Sequence, residues 1–198
     1  MSKTNPIDSK TLTEDAFKQL LPEDLQKVSK THFTPMGIAK TAIEWLTEDG
    51  KKNILDIGAG VGKFCIVGAL NSDSFFYGVE YRASLAQLAN ELIEKLHIKN
   101  AVVKHQNILD IDFLDFNAFY LYNPFYENIV YTKRLNNEMP LADSLYRAYI
   151  RHTALQLEYK EKGTRVVTYH GDNLEIPESY EKIKQSKNGL LKLWVKQH

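Results

Sequence analysis

The stretch from Asn53 to Gly62 constrains the fold most, because a short apolar run leads there into three glycines spaced two residues apart. The run NILDI has the length and composition of a buried strand. Glycines at 58, 60 and 62 allow a tight turn and a close backbone approach to a ligand. The apolar segment 61–70 behind them has helical character, so the stretch predicts a strand, a loop and a helix of an α/β sheet.

The rest of the chain continues this alternation. Four further apolar runs predict strands, at residues 75–80, 101–103, 118–122 and 164–169. Two helical patterns lie between them, at 82–97 and from 141 to about 160. Two last strands, 180–185 and 190–196, flank an Asn-Gly turn, and such a turn joins only antiparallel neighbours. We therefore predict an α/β fold: a doubly wound, mainly parallel seven-stranded sheet with helices on both faces and a C-terminal antiparallel hairpin.

The region before the first strand has apolar residues at helical spacing over 11–50. A helix is predicted to begin near Pro35, with Thr34 as its N-cap, because proline suits the first helical position. We divide the chain into a helical extension or lid, 1–32, and a ligand-binding domain, 33–198.

Composition excludes several classes of protein. The 25 basic residues equal the 25 acidic ones, which argues against a strongly basic nucleic-acid binder. The single cysteine, Cys65, excludes an internal disulfide framework and a cysteine-rich zinc site, and no metal-ligand spacing is recognisable. No apolar run approaches the roughly 20 residues of a membrane span. The N-terminus lacks the apolar core of a signal peptide, so we expect a cytoplasmic protein; its oligomeric state is not indicated.

The glycine spacing separates two classes of ligand. A dinucleotide loop has the pattern G-x-G-x-x-G, whose third glycine, counted from Gly58, falls here on Lys63. A nicotinamide cofactor is therefore disfavoured, although it stays an alternative, as does a ligand-free domain whose glycines only shape turns. Asp56, just before the loop, can neutralise an ammonium group, which an aminoacyl ligand with a sulfonium would carry.

Polar residues also follow the next two predicted strands. Glu80 ends the second strand, 22 residues after Gly58, where a carboxylate can accept both hydroxyls of a ribose. Asn107 follows the third strand, and its side-chain amide together with the backbone N–H of Ile108 can bind an adenine edge. These positions predict a ligand that carries adenosine.

These residues resemble the class I S-adenosylmethionine-dependent methyltransferases. The segment DIGAGVG is similar to their first motif, GVE at 78–80 to their second, and HQNILD at 105–110 to their adenine-binding third, with Asn107 in place of the commonest aspartate. The resemblance covers residues 33–198, which it identifies as the methyltransferase domain, and implies S-adenosyl-L-methionine as cofactor. The implied cofactor-binding residues are Asp56, Gly58, Gly60, Gly62, Glu80, Asn107 and Ile108.

The fourth predicted strand ends in Asn123-Pro124-Phe125. Methyl transfer requires the protein to orient a neutral nucleophile and to remove its proton. Asn123 offers a side-chain carbonyl, and Pro124 has no amide hydrogen, so the backbone there presents carbonyls to an amine. Phe125 or Tyr126 can wall in the target. The segment resembles a shortened N-P-P-aromatic motif of amino-methyltransferases and the N-N-aromatic corner of the class I histone lysine methyltransferase, which implies that Asn123, Pro124 and Phe125 are catalytic.

We predict an S-adenosylmethionine-dependent N-methyltransferase acting on an amine, with a lysine-type protein side chain preferred as substrate. One alternative is a nucleobase or a small-molecule amine as substrate, although the neutral charge and the absence of a target-recognition domain disfavour nucleic acid. Another is a non-catalytic cofactor-binding module that acts through a partner. His170 is a weaker candidate for the border of the substrate pocket. Five tyrosines are candidates for an aromatic wall, although core packing explains most of them equally well: Tyr120, Tyr122, Tyr126, Tyr131 and Tyr146.

Overall fold

The computed structural model describes residues 12–130, 135–136 and 138–198. Its strands are β1 (Asn53–Ile57), β2 (Phe75–Glu80), β3 (Ala101–His105), β4 (Ala118–Leu121), β5 (Arg165–Tyr169), β6 (Tyr180–Gln185) and β7 (Leu191–Lys196). They form one seven-stranded sheet in the order β3-β2-β1-β4-β5-β7-β6. The first five strands pair in parallel, whereas β7 runs antiparallel to both β5 and β6. The predicted fold class, including the terminal hairpin, is confirmed.

The helices of the described residues are α1 (Glu14–Gln19), α2 (Glu23–His32), α3 (Met36–Leu46), α4 (Lys63–Asn71), α5 (Ala83–Lys95) and α6 (Asp143–Glu158). None of these helices is long and apolar enough to cross a membrane. The prediction that Thr34 caps α3 is wrong: Pro35 occupies the N-cap, and no side chain caps it. Thr34 is buried and its hydroxyl instead hydrogen-bonds the Tyr120 hydroxyl at 2.9 Å, because a buried hydroxyl needs a partner.

Two apolar cores cover the two faces of the sheet. Successive side chains of a strand point to opposite faces, so β1 sends Ile54 to one core and Leu55 and Ile57 to the other. The core that contains Ile54 is built with α1 to α5, and the other is built with α6. A strand buried on both faces reads as a continuous apolar run, which is why β1 could be recognised from its sequence.

The chain reverses its order in the sheet at β1, which lies between β2 and β4. In a doubly wound sheet, ligands bind outside the carboxyl ends of the strands at such a switch point. The segments after β1, β3 and β4 carry all the residues predicted to bind a cofactor or an amine, apart from Asp56 and Glu80, which lie within β1 and β2 themselves.

Candidate functional site

A cavity of about 710 Å³ opens at the carboxyl ends of the parallel strands. That volume is typical of a site for a small molecule or a cofactor. Eight of the ten residues predicted to bind a cofactor or an amine line its wall: Gly58, Gly60, Glu80, Asn107, Ile108, Asn123, Pro124 and Phe125. The structure therefore brings together in one cavity residues that lie far apart in the sequence.

Glu80 is held rigidly at the end of β2. Its Oε2 accepts the Gly60 N–H at 2.9 Å and its Oε1 accepts the Arg82 N–H at 2.8 Å. Burial raises the pKa of the Glu80 carboxyl, while these two hydrogen bonds and the nearby Arg82 guanidinium oppose the rise. A carboxylate oxygen has two lone pairs, so each oxygen can still accept a hydroxyl from a ligand in the cavity.

The Arg82 guanidinium joins the end of β2 to the segment after β4. Its Nη2 donates to Glu127 Oε2 at 2.5 Å and its Nε donates to Asn136 Oδ1 at 2.9 Å. Glu127 also accepts the Leu135 N–H at 3.1 Å. Sequence analysis missed this network because its members lie about 50 residues apart and no local pattern marks them.

The first loop glycine touches the predicted amine-binding segment directly. A Cβ added to Gly58 would lie 2.8 Å from the Pro124 Cβ, which is too close for any other residue. Gly58 also has a φ of +78°, in the left-handed region that favours glycine. The contact fixes the distance between the loop after β1 and the turn after β4.

Asn107 lies at the far end of the cavity, after β3. Its Oδ1 accepts the Leu109 N–H at 3.0 Å and caps the short 3-10 turn Ile108–Asp110. Its side chain also contacts the Tyr149 hydroxyl, from α6. The amide plane is thus fixed before any ligand arrives, as binding to an adenine edge would require.

Asn123 and Phe125 occupy the turn after β4. Asn123 is half-buried with a φ of +42°, a conformation that asparagine tolerates better than most residues. Phe125 is buried, with its ring 5.2 Å from the Tyr149 ring. No described residue hydrogen-bonds the Asn123 side chain, which lines the cavity, so a ligand there can approach its carbonyl.

The end of β5 lies beside Asn123. His170 and Gly171 both have left-handed backbones, with φ of +62° and +78°. A Cβ on Gly171 would lie 3.1 Å from Asn123 Oδ1, so the two turns touch. The His170 ring lies 5.7 Å from the Tyr122 ring and 4.4 Å from the Tyr169 ring, and burial lowers the His170 pKa.

The aromatic wall is partly as predicted. Tyr122, Tyr126 and Tyr146 line the cavity. Tyr120 does not, and its prediction is wrong: it is buried under the helices, stacked at 3.8 Å on Phe64. The sheet interior covers Tyr120, whereas Tyr122 has passed the end of β4. Tyr131 lies outside the described residues.

Two predicted cofactor residues lie behind the wall. A Cβ on Gly62 would meet the Ala89 Cβ at 2.9 Å, so this glycine is a packing position between α4 and α5. Asp56 is buried and accepts a hydrogen bond from Cys65 Sγ at 3.5 Å, and burial raises its pKa to about 7. These contacts turn the Asp56 carboxyl toward α4; its role beside a ligand ammonium stays a prediction.

The donor set fits a nucleoside-bearing ligand better than a metal. The described residues hold no group of three or more His, Cys, Asp or Glu side chains able to bind a metal ion. The wall offers a carboxylate, Glu80, and an oriented amide, Asn107, at the neighbouring carboxyl ends of the parallel strands β2 and β3, which suit ribose hydroxyls and a purine edge.

Comparisons with known proteins agree with this assignment. A family model described as a methyltransferase domain matches residues 48–194. No curated protein sequence matches the chain significantly.

Solved structures of similar fold include three methyltransferases. The N-methyltransferase NodS from Bradyrhizobium japonicum, in complex with S-adenosylhomocysteine, superposes with a TM-score of 0.60 at 12% identity, covering 92% of this chain and 96% of NodS. An RNA methyltransferase from Salinibacter ruber, also with S-adenosylhomocysteine, gives 0.56 at 15% identity, covering 83% and 94%. The putative methyltransferase yhhF from Escherichia coli gives 0.60 at 14% identity, covering 83% and 87%. At these identities the likeness concerns the fold.

Proposed function

The chain belongs to the methyltransferase-domain family, and on that premise we propose that it transfers a methyl group to an amine nitrogen held at Asn123. It is a class I methyltransferase, whose methyl donor is S-adenosyl-L-methionine. This cofactor supplies an electrophilic methyl group on a sulfonium. The protein therefore has to bind and orient the two reactants and to exclude water from them. Glu80 would accept the ribose hydroxyls, and Asn107 with the Ile108 N–H would bind the adenine edge.

The contact of Pro124 with Gly58 carries the proposal. It sets the turn after β4 directly against the loop after β1, so an amine held at the first would lie close to a cofactor held at the second. Two reactants held in line gain roughly 7–11 kcal/mol of barrier reduction from placement alone. Asn123 Oδ1 and the backbone carbonyls near Pro124 would accept the hydrogens of an amine, so that its lone pair points toward the loop.

The N-terminal helices support the exclusion of water from the reactive sulfonium. Lys30, Thr31, His32 and Phe33, at and after the end of α2, line the cavity, and Phe33 lies 3.6 Å from a Cβ position on Gly60. The Tyr122 hydroxyl donates to the Thr31 carbonyl at 3.1 Å. We propose that this segment forms a wall over the cofactor. It includes the end of the extension, 1–32, that is predicted from the sequence as a lid.

We prefer a lysine-type protein side chain as the acceptor. Lys30 and Arg82 are the basic residues of the described wall apart from its histidines, and Arg82 is engaged by Glu127. A nucleic-acid backbone requires several free cations, which the described residues of this wall do not offer. Asp172, exposed at the β5 end of the wall, suits a cationic side chain.

A nucleobase or small planar amine is the second candidate. The parallel arrangement of the Tyr122 and His170 rings, 29° apart, offers a stacking surface beside Asn123. A non-catalytic module that binds the cofactor and acts through a partner is the third. We also assign the protein to the cytoplasm, a reducing compartment, because its one cysteine is unpaired and buried.

Tritiated S-adenosylmethionine incubated with the protein and a cell lysate tests the proposal. We expect label in macromolecules that protease releases and nuclease does not, and methyl-lysine after hydrolysis. Label that nuclease releases would instead show that the acceptor is a nucleobase. Cofactor binding by calorimetry without label in any fraction, small molecules included, would leave the non-catalytic module, and no binding of S-adenosylhomocysteine would overturn the whole assignment.

A further inference from the structure

An amine that gains a methyl group also has a proton to lose, and we propose that the imidazole of His170 accepts it. The proposal rests on the proposed function, since it assigns a second residue to the same amine site. In the reaction the N–C bond forms as the C–S bond breaks, and the electron pair of that bond stays on sulfur. The amine proton passes to a ring nitrogen of His170 and from there to water.

His170 stands where an acceptor for that proton is needed. It ends β5, the neighbour of β4, and lines the cavity together with Asn123. The next residue, Gly171, approaches Asn123 Oδ1 so closely that a Cβ there would lie 3.1 Å away. The turn that carries the imidazole is therefore packed against the turn that would orient the amine.

The backbone at this point is held in an unfavourable conformation. His170 has a φ of +62° and Asn123 one of +42°, so two non-glycine residues with left-handed backbones face each other at the ends of adjacent strands. Such conformations cost roughly 1–3 kcal/mol each and persist where surrounding structure enforces them, commonly at functional sites. Here the His170 N–H is fixed by the Leu190 carbonyl at 2.9 Å.

Ring contacts orient the imidazole, and its nitrogens form no hydrogen bonds with the described residues. The Tyr122 ring lies nearly parallel to it and the Tyr169 ring lies edge-on. No described residue forms a hydrogen bond to either ring nitrogen of His170. Burial lowers its pKa from the ordinary value and so favours the neutral imidazole, the form that can accept a proton.

Other titratable groups nearby are less suited to accept a proton. Tyr122 and Tyr169 have pKa values raised by burial, and the Tyr122 hydroxyl donates to the Thr31 carbonyl. The His32 ring lies 3.8 Å from a Glu127 carboxylate oxygen. Asp172, in the loop after β5, and Lys30, at the end of α2, are the exposed charged groups that share the wall.

The test uses two variants that keep the left-handed backbone. His170→Asn and His170→Gly both tolerate a positive φ, so neither strains the turn further. The control is His97→Asn, because His97 also has a left-handed backbone, with a φ of +56°, but lies exposed after α5, away from the cavity.

The first measurement needs no acceptor substrate. NMR titration of the full-length protein, with the signal of His170 assigned by its loss in His170→Asn, is expected to give a pKa below the ordinary histidine value. The second is the rate of tritium transfer to the acceptor fraction against pH. We expect the wild-type rate to fall with decreasing pH through the pKa that NMR measures, and that fall to be absent from His170→Asn.

The loss of transfer rate in the His170 variants, together with their cofactor affinity, distinguishes a catalytic role of His170 from a structural one. We expect His170→Asn to lose about 10²-fold in transfer rate, the usual contribution of a general base. S-adenosylhomocysteine affinity should stay unchanged in both variants, and added imidazole should restore part of the activity of His170→Gly. The control variant should behave as wild type.

If His170→Asn and His170→Gly both transfer methyl groups at the wild-type rate and with the wild-type pH profile, this assignment is overturned and the proposed function stands. Loss of transfer without imidazole rescue and without a changed pH profile would also overturn it, since a structural role explains that result. A wild-type protein that binds S-adenosylhomocysteine but labels nothing would remove the proposed function and this inference with it.

Discussion

The two ends of the cavity are built differently. At the ends of β1, β2 and β3, the polar groups are already bound to the protein: Glu80 accepts two backbone N–H groups, and Asn107 caps a turn. At the ends of β4 and β5, no described residue hydrogen-bonds the side chains of Asn123 and His170, which are held instead by left-handed backbone and by ring contacts.

The difference fits two kinds of ligand. A cofactor that is always the same molecule is bound best by groups fixed in advance, because little ordering is then needed on binding. Half-buried polar side chains that no described residue hydrogen-bonds are exposed to the cavity, where a ligand can supply hydrogen bonds to them. On the proposed function, the first end would bind the cofactor, and the second would be where chemistry on a variable substrate occurs.

Asn123→Gly changes only the end of the cavity formed by β4 and β5, and it has the largest expected effect. Glycine keeps the positive φ while removing the carbonyl that would accept from the amine. We expect the methyl-transfer rate to fall about 10³-fold, as when one oriented polar group is removed from an active site, with S-adenosylhomocysteine affinity within about twofold of wild type. Radiolabel transfer and calorimetry measure the two quantities. Asn188→Gly, in the hairpin turn, is the matched control, and full activity in Asn123→Gly would show that the amine binds elsewhere.

Gly62→Ala tests whether the first end is rigid because it is packed. The new methyl group would lie 2.9 Å from the Ala89 Cβ and 3.2 Å from Val103, on a backbone with a φ of +70°. We expect the free energy of unfolding to fall by about 3 kcal/mol, from crowding and backbone strain together. Urea denaturation measures it.

Gly163→Ala is the control for that prediction, since its φ is +88° but nothing lies within 4 Å of the added Cβ. Strain alone should cost it about 1 kcal/mol. Equal losses in the two variants would mean that the loop after β1 yields to crowding and is not rigid.

Glu80→Gln tests the fixed carboxylate itself. It keeps the shape but removes the charge, and its NH2 group cannot accept, so either the Gly60 or the Arg82 N–H loses its side-chain acceptor. We expect S-adenosylhomocysteine to bind about 50-fold more weakly, which corresponds to losing one or two charge-assisted hydrogen bonds. Calorimetry provides the dissociation constant.

Glu127→Gln gives the contrast, because it removes the other carboxylate bound to Arg82 and leaves Glu80 in place. The affinity should then change less than about threefold. If both variants weaken binding equally, the charge on Arg82 matters and direct contact of Glu80 with the ribose does not.

The same contrast explains what the sequence could reveal. The glycine loop and Glu80 follow their strands directly, so the local pattern predicted both their type and their place. The contact of Pro124 with Gly58 and the position of Tyr149 arise only when β1, β4 and α6 come together, and no periodicity encodes them. The stacking of Tyr120 on Phe64 likewise forms only when α4 packs on β4, so the sequence did not separate this buried tyrosine from those of the wall.

Asp56→Asn is expected to have the smallest effect, and it tests on which side of the loop this carboxyl acts. Its folded-state pKa of about 7 lies above the ordinary aspartate value of 3.8, so between these values the native state holds a proton that the unfolded state has lost. Stability therefore falls as pH rises from 3.8 to about 7 and is level above that range. Asparagine does not titrate, so urea unfolding at pH 5 and pH 8 should show that the stability of the variant relative to wild type is higher at pH 8. Glu80 is present in both proteins, so its contribution cancels in the difference.

Because the carboxyl points toward Cys65, S-adenosylhomocysteine affinity should change less than about threefold. A larger loss of affinity, with no pH-dependent gain in stability, would place an ionised Asp56 beside the ligand ammonium and make it part of the binding end.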